Sequence, residues 1–233
     1  MTVSNKRKPI VSDYYLENEK LTKEKKIKYL GVIVDHKLTF KDHINEKCKN
    51  TTTILNMLRR NLFFTPASVK SKAYKACVLS IVEYASICWS PSSEKLNRAI
   101  EMVQHKAAKF LVNAYNRKGK FKKFSISKLL NDLNLETLEE RRIQARLTMV
   151  YKILNGEVIL ESSLLPKYRN ERPIRNCNEP TVGYENQLVE SYAKIQVAES
   201  TFFYSAPILW NDRVTKKQAK APSADAFINH FSR

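Results

Sequence analysis

Glycine is scarce in this chain: four residues in 233, at Gly31, Gly119, Gly156 and Gly183. Loops that cradle phosphates bring the backbone up to the ligand at clustered glycines, so isolated ones exclude P-loop and dinucleotide-binding readings. The four cysteines, Cys48, Cys77, Cys88 and Cys177, form no Cys-x-x-Cys pair. His36, His43 and Cys48 are neighbours in sequence, but His43 and Cys48 fall on different helix faces. No metal site is therefore expected, and no cofactor. The thiols read as free in a reducing compartment, with Cys77 and Cys88 as small core residues.

Long apolar runs are also missing. None approaches the ~18 residues of a membrane span; the longest, Ala76 to Trp89, is broken by Ser80, Glu83 and Ser86. The basic start, Lys6-Arg-Lys8, has no apolar stretch behind it, so no signal peptide is expected. The expected location is intracellular, cytoplasmic or nuclear, with no membrane partner.

Acidic residues are the third shortage. Asp and Glu number 23 against 41 Lys and Arg, a net charge of +18. No acidic residue stands between Glu46 and Glu83, nor between Glu101 and Asp132. The cations in those runs are not cancelled locally, which favours a polyanionic partner. The loop Arg117-Lys-Gly-Lys-Phe-Lys-Lys-Phe124 interleaves cations with aromatics, a pattern suited to phosphates and stacked bases. The other reading of the loop is that Phe121 and Phe124 anchor it while the lysines are solvated.

Catalytic groups are not visible. Two-metal nucleotidyl transfer needs carboxylates brought to cations about 4 Å apart, and the chain has no Asp-Asp pair. Glu136, Glu139 and Glu140 occupy a helix start, where carboxylates serve the dipole and the cap.

Periodicity predicts a mainly α protein with a small β portion at the N-terminus packed on a helical bundle and an irregular C-terminal extension. Lys28-Tyr-Leu-Gly-Val-Ile-Val-Asp35 reads as a strand, with Ile10 to Leu16 as its partner. Ile44, Cys48, Thr51, Leu55, Leu58 and Leu62 recur at helical spacing from Lys41. Thr65-Pro66 reads as the cap and first position of a second helix, with Val69, Ala73, Ala76, Cys77, Leu79, Ser80, Tyr84 and Ile87 inward. A third helix turns Leu96, Ile100, Val103, Ala107, Phe110 and Ala114 inward, and a short one covers Ser127 to Leu133. Thr137 with Glu140 is a capping box for a longer helix stopped by Asn155-Gly156. Five of the eight prolines lie from Pro166 onward, where periodicity is weak until about Ser223. The expected segments are 1–40, 41–133, 134–165 and 166–233.

Several of these segments, in order, resemble the reverse transcriptases of jockey-type non-LTR (LINE-like) retrotransposons. The matching residues are Lys28-Tyr-Leu-Gly-Val-Ile-Val-Asp35, Leu58-Arg-Arg-Asn-Leu62, Lys72-Ala-Tyr-Lys-Ala76, Val82-Glu-Tyr-Ala-Ser86 and Trp89. Val103-Gln-His-Lys-Ala-Ala-Lys-Phe110, Leu138-Glu-Glu-Arg-Arg142, Tyr151-Lys152 and Leu209-Trp-Asn211 follow. The resemblance implies the end of a palm, a helical thumb and a C-terminal region, without the Asp-Asp turn of the polymerase. Trp210 itself reads as core. The implied partner is an RNA–DNA hybrid or duplex, held through its backbone by Arg59, Arg60, Lys70, Lys72, Lys75, Arg117, Lys118, Lys120, Lys122 and Lys123. An upstream palm-and-fingers polypeptide is the second implied partner. An all-helical interaction module and a decayed element are the rival readings.

Overall fold

Two antiparallel hairpins open the chain, and neither is the pairing expected from the sequence. The computed structural model describes residues 1–3, 12–113, 125–169, 184–191 and 201–231. β1 (Tyr15–Leu16) pairs with β2 (Glu19–Lys20), and β3 (Lys26–Tyr29) with β4 (Val32–Asp35). The apolar run Lys28–Asp35 is thus not one strand but most of a hairpin. Its turn residues Leu30 and Gly31 both have positive φ, 44° and 78°, the mirror-image turn whose twist matches that of paired strands. Glu17 and Asn18 do the same for the first hairpin, at 48° and 68°. Gly31 also allows a close approach: a Cβ there would meet Tyr84 Cε1 at 3.4 Å. The Tyr84 hydroxyl donates to the Leu30 carbonyl at 2.9 Å, which holds the turn in place.

Most of the other described residues are helical, and the chain's contacts gather it into two units, Met1–Ala85 with Pro91–Lys123, and Ser86–Ser90 with Phe124–Arg233. In the first unit, α1 (Lys41–Asn61) buries His43, Ile44, Thr51, Leu55 and Leu58, close to the expected stripe. Asp35 sets up its start by accepting from the Lys37 and Phe40 N–H groups at 2.9 and 2.8 Å and from the Thr39 hydroxyl at 3.0 Å. Partial burial would raise the Asp35 carboxyl, but these hydrogen bonds outweigh it and hold the group below its usual range.

His43 joins hairpin to helix. It is 2% exposed, and its Nδ1 accepts from the Ile33 N–H at 3.2 Å. Burial pushes the imidazole down to about 4, with Lys47 and Lys28 adding to the shift and Glu46 opposing it. The unfolded chain therefore binds this proton more readily, from about pH 6.5 downward. The stability His43 contributes is complete above that pH, is lost as pH falls toward about 4, and is flat below. The difference is on the order of 3 kcal/mol. Urea unfolding at about pH 7.5 and about pH 4.5 checks it: His43→Gln should shrink the loss, and an unchanged loss would refute the assignment.

α2 (Ala67–Tyr74) runs through a wide turn at Lys75–Leu79 into α3 (Ser80–Glu83). The Ser80 N–H reaches back five residues to the Lys75 carbonyl, and this rephases the helix. Lys70, Tyr74, Val78, Leu79 and Val82 face inward, while Val69, Cys77 and Tyr84 are exposed. The expected inward set was therefore shifted, and Cys77 is not a core residue. Pro66, not Thr65, stands at the cap position; the Thr65 hydroxyl donates to the Leu62 carbonyl instead. After a break at Ala85, φ 54°, α4 (Ser86–Trp89) belongs to the second unit; it buries Ser86 and Trp89 and leaves Cys88 exposed as well. Cys177 lies outside the described residues. α5 (Glu94–Leu111) closes the first unit against α1 and α2, burying Ile100, Val103, Ala107 and Phe110 as expected. Leu96 is half-buried, and Ala114 is not among the described residues.

The second unit is built on α6 (Ile126–Asp132) and α7 (Leu138–Leu154). Thr137 accepts from the Glu140 N–H at 3.1 Å, which is half of the expected capping box; the Glu140 carboxylate lies 3.8 Å from the Arg213 guanidinium. Gly156 (φ 72°) ends α7, its N–H bonding the Ile153 carbonyl while that of Glu157 bonds Lys152. Against α7 pack α8 (Phe202–Arg213) and α10 (Ala224–Asn229), with the short α9 (Lys216–Ala219) between them in sequence. The described part of 166–233 is thus substantially helical before Ser223. α8 escapes a periodicity search because apolar Phe203 and Ile208 populate its exposed side and Pro207 its interior, so no polar face contrasts with the buried one. Among the described residues, no helix is long and apolar enough to cross a membrane.

Candidate nucleic-acid interface

The described cations of the candidate interface lie on α1, α2 and the wide turn that follows. α1 ends with Arg59 and Arg60 in its last turn, a position that also suits the negative end of the helix dipole. Arg60 is exposed and Arg59 half-buried. Lys72 on α2 and Lys75 in the wide turn are exposed, three residues apart along one helical face.

Lys70 departs from the expectation. It is 1% exposed, and its Nζ donates to the Phe63 carbonyl at 3.0 Å and to Asn113 Oδ1 at 2.6 Å. The ammonium also sits 5.7 Å from the centre of the Phe110 ring. Burial lowers its pKa. The residue ties the end of α1 to the end of α5 and has no surface to offer a phosphate. Its inward turn follows from the stripe it shares with Tyr74, Val78 and Val82, at steps of four. Arg117, Lys118, Lys120, Lys122 and Lys123 lie outside the described residues.

Lys47, the first cation of the acid-free run after Glu46, is also drawn inward. Its Nζ donates to the Ile81 carbonyl at 2.8 Å and lies 4.9 Å from the centre of the Tyr84 ring, and burial lowers its pKa. It therefore works inside the first unit rather than on the surface.

Between the two helices the chain makes a tight turn, closed by the Thr65 N–H on the Leu62 carbonyl at 3.2 Å. Its middle residues are Phe63 and Phe64, edge to face at 5.1 Å between ring centres. Phe64 is 84% exposed. The sequence signal for it was present, an aromatic pair placed where a helical stripe stops and a proline starts the next.

In the second unit, Arg142 and Arg146 of α7 are 4% and 6% exposed. Arg146 donates to Ser205 Oγ at 2.6 Å, and burial, then the Arg142 charge, lowers its pKa to about 10. Trp210 is core, as expected, and donates through Nε1 to the Asn186 carbonyl at 3.1 Å. Asn211 beside it takes the Leu188 N–H at 2.9 Å and gives to the Leu188 carbonyl at 3.0 Å, pairing both backbone groups of this buried residue with one side-chain amide. Among the described residues, no three His, Cys, Asp or Glu side chains gather where they would hold a metal ion.

Comparison with known proteins sets these features in context. Over 171 residues, 72% of the chain, it is 26% identical to a Drosophila melanogaster protein named "Probable RNA-directed DNA polymerase from transposon BS". The similarity is to part of a transposon polymerase. A second relative, an uncharacterized protein of Caenorhabditis elegans, is 26% identical over 132 residues, 57% of the chain. The matched stretches span 18% and 65% of the lengths of these two relatives. No protein-family model and no solved structure matches the chain.

Proposed function

We propose that the chain is a fragment of a non-LTR retrotransposon reverse transcriptase, comprising the end of the palm, the thumb and the region after it, and that it binds primer–template nucleic acid through the backbone. The observation that carries this reading is the identity to the transposon polymerase over 72% of the chain. The exposed Arg60, Lys72 and Lys75, in a stretch without acidic residues, support it. On this reading these residues grip, and the palm and fingers, which the matched stretch does not include, supply the paired carboxylates that nucleotidyl transfer requires. Tyr14, Tyr15, Leu16, Tyr29 and Leu30 are all exposed on or beside the two hairpins, and they favour a polypeptide partner there.

The test is fluorescence-anisotropy binding of the whole chain to a labelled RNA–DNA hybrid. If about six phosphates are neutralised, affinity should fall roughly a thousandfold between ~50 and ~200 mM salt. Neutralising Lys118, Lys120, Lys122 and Lys123 together should weaken binding equally on unrelated sequences. A weak, salt-independent response would overturn the reading in favour of a protein-interaction module.

A further inference from the structure

We infer that the turn between α1 and α2 is a stacking platform for an unpaired nucleotide base, with Phe64 as the side chain that stacks. The inference rests on the nucleic-acid reading above and adds to it a contact that backbone neutralisation does not require. Three observations carry it: an exposed ring, a turn held rigid beneath it, and its place in a stretch of chain with cations and no acidic residue.

At 84% exposure, Phe64 leaves a ring face open to solvent, although a benzyl side chain is among the groups water most favours burying. The turn that carries it is not loose. The Thr65 N–H and hydroxyl both bond the Leu62 carbonyl, at 3.2 and 2.8 Å. The buried Lys70 ammonium holds the Phe63 carbonyl from below at 3.0 Å, and the Phe63 ring stands edge to face with Phe64. Pro66 follows at once and fixes its own φ at −59°. The ring is therefore presented by a pinned main chain, so less ordering entropy is lost when a flat partner lands on it.

That stretch selects the partner. Arg60, in the last turn of α1, stands four residues before Phe64 in sequence, Lys72 and Lys75 follow on α2 and beyond it, and no acidic residue occurs between Glu46 and Glu83. A nucleotide has both halves of the complement: a π-face for the ring and phosphates for the flanking cations. The base must be unpaired, because within a duplex both faces of each base are already covered by its neighbours. A single strand, or the single-stranded end of a primer–template, meets that condition.

The experiment compares the intact chain with Phe64→Ala on two labelled probes, a single-stranded oligoadenylate of about a dozen nucleotides and a blunt RNA–DNA hybrid. The expected result is about a tenfold loss on the single strand with the hybrid unchanged within about twofold. Phe64→Trp supplies an independent readout. Trp89 and Trp210 are both 1% exposed, so the new indole emits as the exposed one, and oligoadenylate should quench it. Equal losses on both probes, or no loss and no quenching, would overturn the platform while leaving backbone binding intact. Failure of the intact chain to bind either probe would overturn both.

Discussion

Replacing Trp210 with alanine is expected to destabilise the second unit by about 4 kcal/mol, near the upper range for aromatic truncation in a core. The indole is 1% exposed and lies almost parallel to Phe227, 5.8 Å between ring centres. Phe227 stacks in turn on Tyr151 at 4.8 Å, whose hydroxyl donates to the Ala221 carbonyl at 2.6 Å. One ring therefore supports α7, α8 and α10 at once. The truncation leaves a cavity between them and takes the Trp210 Nε1 donor away from the Asn186 carbonyl. Chemical denaturation followed by far-ultraviolet circular dichroism measures the effect. A loss under about 1 kcal/mol would mean that the Phe227–Tyr151 stack closes over the gap, so that the indole is not the close-packed support of this core.

Lys70→Ala is expected to cost the first unit about 2 kcal/mol, while Lys72→Ala should change stability by no more than about 0.5 kcal/mol. The contrast follows from burial. Removing the Lys70 ammonium takes this donor from the half-buried Phe63 carbonyl and from Asn113 Oδ1, and it empties the space beside Phe110. Lys72 has no such commitments among the described contacts. The two variants also separate on binding. Lys72→Ala should reduce the slope of affinity against salt by about one counterion, whereas Lys70→Ala, measured where it remains folded, should leave that slope unchanged. A reduced slope for Lys70→Ala would return that residue to the interface.

The helical stripes were legible because their signal is local. Ile44, Thr51, Leu55 and Leu58 repeat at helical spacing whatever packs on them, and the Thr137 cap and Gly156 stop depend only on nearby atoms. The second hairpin was legible in retrospect at Leu30-Gly31, where a two-residue turn needed its glycine, but the continuous apolar run around it disguised the reversal. The candidate cations were legible as types and not as positions: composition marks Lys70 and Lys72 alike.

By itself, then, the sequence determined a basic, mainly helical chain with acid-free stretches and a likeness to part of a transposon polymerase. Only the tertiary structure decided which cations reach solvent. The five-residue reach at Lys75–Ser80 rephased the face that includes Cys77, and the carbonyls at the helix ends drew Lys70 and Lys47 inward. It likewise decided that the chain after Pro166 shares a core with α7, through Leu188, Trp210 and Phe227. The physical reason is the same in both cases. A residue's own chemistry sets what it needs, but burial and hydrogen-bond partners come from segments distant in sequence, and no local pattern records them.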